Sequence, residues 1–161
     1  MRKEQLEYFF QTYYSLVFRV AFMEVRSHCD AEDIRQEVFV RLLNYNPKFK
    51  SIEHEKAWMV RVTINLCRDF LKSKWNQSTV GLDSIPMEEF GHFKSPYTEH
   101  NDTILDLIEL PERYRQPLYL FYYEDYSIKE IAGVLEIPEN TVKTNLKRGR
   151  EELKKMLSKE R

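Results

Sequence analysis

Residues 127–150 read Ser127-Ile-Lys-Glu-Ile-Ala-Gly-Val-Leu-Glu-Ile-Pro-Glu-Asn-Thr-Val-Lys-Thr-Asn-Leu-Lys-Arg-Gly-Arg150. Ser127 with Glu130 three residues on is the pattern of a capping box, so a helix starts there. Ile131, Ala132 and Leu135 form the apolar side of that helix, with Ala132 small enough to let a second helix cross closely. Ile137-Pro138 turns the chain, and Pro138 suits the start of the next helix. Val142 and Leu146 lock that helix inward and leave Thr141, Lys143, Thr144, Lys147 and Arg148 outward. The pattern is a helix-turn-helix. Lysine and arginine suit phosphates and guanine edges, and threonine suits backbone or the thymine methyl, so the outward face fits a major groove.

Working outward, the same helix continues to about Ser158 and is basic: Lys143, Lys147, Arg148, Arg150, Lys154, Lys155, Lys159 and Arg161 face only Glu151, Glu152 and Glu160. Between Leu82 and Glu109 the balance inverts, with Asp83, Glu88, Glu89, Glu99, Asp102, Asp106 and Glu109 against Lys94 alone. The formal net charge of -1 averages these two regions away. Upstream of the helix-turn-helix the spacing predicts helices over Asp102–Glu109 and Glu112–Tyr123. From Trp75 to about Tyr97 periodicity fails, and Gly81, Pro86, Gly91, Ser95 and Pro96 mark a linker.

The first 74 residues carry three helical patterns. Leu6, Phe9, Phe10, Tyr13, Tyr14, Val17, Phe18, Ala21 and Phe22 recur at three and four, predicting a helix over Glu4–Arg26. A second is expected from an Asp30 N-cap to near Pro47, with Ile34, Val38, Phe39 and Leu42 inward and Asp33, Gln36, Glu37 and Arg41 on a polar face. A third spans about Glu55–Lys74, with Trp58, Val62, Leu66 and Phe70 as its apolar stripe. Beside that stripe, Lys56, Arg61, Asn65, Arg68, Lys72 and Lys74 interleave cations and an amide with Trp58, a mixture suited to unpaired bases.

With 161 residues, 4 Gly and 6 Pro, the expectation is an all-α chain of two small domains: residues 1–74, a linker 75–100, and residues 101–161. Cys29 and Cys67 have no CxxC partner, which fits a reducing cytosol with both thiols buried and inert. His28, His54, His92 and His100 show no ligand spacing, so no metal is expected, and no glycine-rich loop cradles a nucleotide, so no cofactor is expected either. No apolar run approaches the roughly 20 residues of a membrane span. A nuclease would need clustered carboxylates, and the acids lie on helix surfaces or in the linker.

Three ordered stretches carry a resemblance. Asp30-Ala-Glu-Asp-Ile-Arg-Gln-Glu-Val-Phe-Val-Arg-Leu resembles region 2.2 of the bacterial sigma-70 family, residues 47–72 resemble regions 2.3 and 2.4, and residues 110–153 resemble region 4. The whole is similar to an extracytoplasmic-function, or group 4, sigma factor. The resemblance implies that Asp33, Gln36, Glu37 and Arg41 dock on the clamp helices of the polymerase β′ subunit, with the β flap as a further contact. It implies that the loop from Phe49 to Glu55, with Phe49, Lys50 and Ser51, and the helix positions Lys56, Trp58, Arg61, Asn65 and Asp69 hold a base flipped from the minus-ten element. It places Thr141, Lys143, Thr144, Lys147 and Arg148 on the minus-thirty-five duplex, with Tyr122 on the backbone.

The acidic linker resembles the segment that threads toward the polymerase active-site cleft and RNA exit channel. An anti-sigma protein that clamps the two domains together is the implied regulator, as expected for two exposed DNA-reading faces joined by a flexible tether. Two features depart from the family pattern: Lys143, Thr144 and Lys147 in the recognition helix, and the acids of the Lys50–Glu55 loop. The alternative from another class is an autonomous regulator of the LuxR kind, which shares the helix-turn-helix but leaves the first 74 residues without a receiver or ligand pocket.

Overall fold

The computed structural model describes residues 1–77 and 106–159. The chain divides into two compact units, Met1–Ser84 and Ile85–Arg161. In the first, α1 (Lys3–Val25), α2 (His28–Tyr45) and α3 (Ile52–Gln77) pack pairwise on one another. In the second, α4 (Glu112–Tyr123), α5 (Ile128–Leu135) and α6 (Glu139–Lys159) do the same. Every element among the described residues is an α-helix, as the scarcity of turn residues implied.

The core of the first unit is built from α1, which buries Phe9, Tyr13, Val17, Val20, Ala21 and Phe22. Against it α2 sets Ala31, Ile34, Val38, Phe39 and Leu42. The start of α2 differs from expectation. Ser27, not Asp30, is the N-cap, its hydroxyl accepting from Asp30 N–H at 3.3 Å, which moves Asp30 into the first turn where its charge meets the positive helix end.

The stripe expected to face inward on α3 does not lead the burial. Met59, Val60, Thr63, Ile64 and Cys67 are the buried set, and Trp58, Val62, Leu66 and Phe70 are half-buried along its edges. Local hydrogen bonding makes the two polar members of this set compatible with burial. Thr63 Oγ1 donates to the Met59 carbonyl at 2.6 Å, which satisfies its hydroxyl without solvent, and the Cys67 thiol points at the Ala21 carbonyl, 3.9 Å away. Both neighbouring helices pack on α3. The helix also starts earlier and runs on to Gln77, three residues past the end that periodicity indicated.

In the second unit Ser127 and Glu130 form the capping box, with Glu130 N–H to Ser127 Oγ at 3.0 Å and Ser127 N–H to Glu130 Oε1 at 3.0 Å. The helix buries Ile131, Val134 and Leu135, while Ala132 is only half-buried, so Val134 takes the inward place assigned to Ala132. The turn uses no glycine: Glu136 sits in the left-handed region at φ 58° and sends its N–H to the Ala132 carbonyl. Val142 and Leu146 are buried, as their spacing indicated. Close approach is granted instead at Gly149, where an added Cβ would stand 2.8 Å from Leu118 Cδ1 and 3.1 Å from Tyr114 Cβ. Of the helix expected over 102–109, residues 106–108 are helical and bury Leu107 and Ile108, and 102–105 lie outside the described residues, as does the acidic linker from 78 onward.

Both thiols are free, but they differ: Cys67 is buried, and burial raises its pKa, whereas Cys29 is exposed, against the expectation that both would be covered. One thiol is therefore expected to react with a thiol reagent in the native protein and the second only on unfolding, read as stepwise labelling by mass spectrometry. Gly149→Val should lower stability by about 2 kcal/mol through overpacking against Tyr114, measured by urea unfolding.

Candidate polymerase and promoter interface

On α2 the exposed side carries Asp33, Gln36 and Glu37, with Arg41 half-buried beside them and its Nε 3.5 Å from Glu37 Oε1. The four expected residues thus share one face. Periodicity missed the apolar residues that accompany them: Val40 is 46% exposed and Leu43 44%. On α1 next to them, the exposed Phe10 stacks on Phe39 with centroids 4.4 Å apart, and Arg35 lies 3.6 Å over the ring of Tyr14. The signal was present in the run Val38-Phe39-Val40-Arg41-Leu42-Leu43, which holds more apolar residues than one helix face can bury.

On α3 the side opposite Met59, Thr63 and Cys67 is a ridge of Trp58, Arg61, Asn65, Asp69 and Lys72 at three- and four-residue steps. Arg61, Asp69 and Lys72 are exposed; Trp58, Asn65, Lys56 and Arg68 are half-buried. Trp58 stands at the border between ridge and core. Its indole is packed at 5.7 Å against Phe49, which also meets Phe9 at 5.8 Å and His54 at 5.4 Å. Phe49 is the anchor of the loop before α3. Lys50 N–H donates to His54 Nδ1 at 3.1 Å, and His54 N–H to Ser51 Oγ at 3.1 Å, so Ser51 caps α3 while exposed Lys50 remains beside it. A cleft of about 620 Å³ opens beside this loop, with Tyr8, Phe9, Lys48, Phe49 and Glu55 on its walls.

On α6 Thr141, Lys143, Thr144, Lys147 and Arg148 are all exposed. Thr144 Oγ1 donates to the Asn140 carbonyl at 3.0 Å, an i–4 bond within the helix. Tyr122 is exposed on α4, and its hydroxyl accepts from Arg150 Nη1 at 3.1 Å. It is thereby tied to α6, on a groove of about 390 Å³ shared with Leu107, Leu118, Leu153 and Leu157. Among the described residues no group of three or more His, Cys, Asp or Glu side chains could hold a metal ion, and no helix is long and apolar enough to cross a membrane.

The family model described as Sigma-70 region 2 matches residues 9–77, and Sigma-70, region 4 matches residues 107–153. The RNA polymerase sigma factor SigV of Bacillus subtilis is 30% identical, the match covering 89% of this chain and 85% of that protein. The ECF RNA polymerase sigma factor SigW of the same organism is 27% identical over 90% of this chain and 84% of its own length. Among solved structures, the sigma factor RpoE of Bartonella quintana, crystallised with the anti-sigma factor NepR, superposes with a TM-score of 0.77 at 16% identity, covering 98% of this chain and 99% of that one. The chain belongs to the sigma-70 family of RNA polymerase sigma factors, in its extracytoplasmic-function group.

The cap of α5 sets the turn that leads into α6. Ser127→Ala should cost about 1 kcal/mol of stability in the second unit, read by urea unfolding followed by the tyrosines of α4.

Proposed function

We propose that this sigma factor joins core polymerase through α2 and reads its promoter with both units, the first capturing the opened minus-ten element and the second docking on the minus-thirty-five duplex. The observation that carries this reading is the pairing of two family regions, in order, with two exposed faces of fitting chemistry. Asp33, Gln36, Glu37 and Arg41 form the polymerase-facing set, and exposed Val40 and Leu43 add apolar area that a solvated face would not need. The ridge of Trp58, Arg61, Asn65 and Asp69, continued by Lys56 and by Phe49, Lys50 and Ser51 in the loop, combines a π-face, an amide and cations for an extruded base. Extrusion costs about a few kcal/mol of stacking, which polymerase binding and the contacts to the flipped base offset.

Thr141, Lys143, Thr144, Lys147 and Arg148 would enter the major groove, with Tyr122 near the backbone. The acidic segment between the units would follow the basic path meant for RNA. The protein acts in this reading as a non-enzymatic subunit in the cytoplasm, where polymerase and promoter DNA are. The β flap is a further contact of the second unit. By analogy with the relative bound to NepR, an anti-sigma protein is its regulator.

Transcription in vitro with sigma-free core polymerase and genomic fragments tests the reading, with 5′-end sequencing of the products. Defined starts sharing two upstream elements are expected, and Glu37→Lys should abolish them by weakening core binding. Shifted duplex without polymerase, and no dependent start, would transfer the protein to the autonomous regulators. Lys147→Ala should weaken holoenzyme binding similarly on all promoters and reduce the slope of log affinity against log salt by about 0.9, one phosphate contact.

A further inference from the structure

Glu55 occupies an unusual position in the first unit. Its Oε1 accepts from two phenols of α1 at once, Tyr8 Oη at 2.8 Å and Tyr13 Oη at 2.6 Å. Tyr13 is buried and Tyr8 exposed, so the carboxylate bridges the core and the surface of α1. The Tyr8 phenol titrates above its ordinary range, first because of the hydrogen bond to Glu55 and then because of burial. Charge-assisted bonds of this kind are among the stronger polar contacts a protein makes.

The same residue is bonded in the other direction. Glu55 N–H donates to the Ser51 carbonyl at 3.1 Å, the last link of the loop 46–51 before α3. Within one turn, His54 accepts from Lys50 N–H on Nδ1 and donates its own N–H to Ser51 Oγ. Phe49 rests on Phe9 of α1, on His54 and on Trp58. Phe49, Lys50 and Ser51 are thus tied to the first turn of α3; the Glu55 carboxylate joins that turn to α1, and Phe49 also rests on Phe9 of α1 directly.

We infer that Glu55, held by Tyr8 and Tyr13, is a positioning residue for minus-ten capture: it sets where the loop carrying Phe49, Lys50 and Ser51 stands relative to Arg61 and Asn65. This rests on the minus-ten reading above. Glu55 closes the Phe49–Glu55 loop of that reading, and with its Oε1 bonded to Tyr8 and Tyr13 its role is to place Phe49, Lys50 and Ser51 rather than to contact the base. Selectivity for a base in a pocket depends on placement, and a displacement of about 1 Å in a positioned group can cost up to a hundredfold. Releasing the clamp therefore loosens discrimination more than it loosens the fold.

The test uses holoenzyme on a promoter the protein serves and on versions with a substituted minus-ten element, strand opening being reported by 2-aminopurine in the non-template strand. Glu55→Ala should reduce the ratio of opening on the natural over the substituted element about tenfold. Glu55→Gln, which keeps an amide oxygen for the phenols, should stay within about twofold of the parent. The double variant Tyr8→Phe with Tyr13→Phe should match Glu55→Ala, and it decides the matter if Glu55→Ala does not fold. Affinity for core polymerase should be unchanged in all of them. A purely structural role would lower thermal stability and yield while leaving the ratio at the parent value, and that result overturns the inference. Arg61→Ala and Asn65→Ala separate the two levels. If they lower the ratio and the clamp variants do not, the clamp alone falls; if they too leave it unchanged, the minus-ten reading falls and the clamp's role with it.

Discussion

The first unit depends on which side of α3 is buried: Met59, Val60 and Ile64 supply its apolar area, and the hydrogen bond from Thr63 Oγ1 to the Met59 carbonyl lets Thr63 be buried among them. The helix thus turns a side of Met59, Thr63 and Cys67 into the core, where α1 and α2 both pack on it. An unsatisfied hydroxyl there would cost about 1–3 kcal/mol; bonded to its own helix, it is compatible with complete burial. Once that side is inward, the opposite ridge of Trp58, Arg61, Asn65, Asp69 and Lys72 must face outward, because a helix has one period. The face that the unit offers to the promoter in the proposed reading follows from which side of α3 the core accepts.

A comparable constraint operates in the second unit, where the backbone of α6 comes against α4 at Gly149. That crossing, together with Val142 and Leu146, fixes the rotation of α6 about its own axis. Lys143, Lys147 and Arg148 are exposed because of what is buried behind them. In both units the candidate binding face is the remainder left by packing.

Much of this was legible in the chain. The capping box of Ser127 and Glu130, the inward Val142 and Leu146 and the outward cations of α6 all follow from local spacing, since capping and helical period involve residues within one or two turns of each other. The polar set of α2 was legible for the same reason. What misled on α3 was the four-residue step: it picked out Trp58, Val62, Leu66 and Phe70, whereas the docked helix buries Met59, Val60 and Ile64 together with Thr63 and Cys67, whose polar atoms find partners only after the helix has formed and docked. Asp30 as an N-cap was similarly plausible, and Ser27 prevailed because its hydroxyl reaches Asp30 N–H. Val40 and Leu43 escaped notice because a surplus of apolar residues on one helix becomes visible only when the buried share is known.

By itself, then, the sequence determined the helical content, the division into two units, the helix-turn-helix and the order of the two family regions, all carried by short-range pattern and composition. The tertiary structure decided which side of α3 is buried, brought Phe49 against Trp58, and joined Glu55 to Tyr8 and Tyr13 across 47 and 42 positions of chain. Contacts at that separation depend on how helices dock, and docking is settled by the summed fit of whole faces, a quantity no local window of sequence contains.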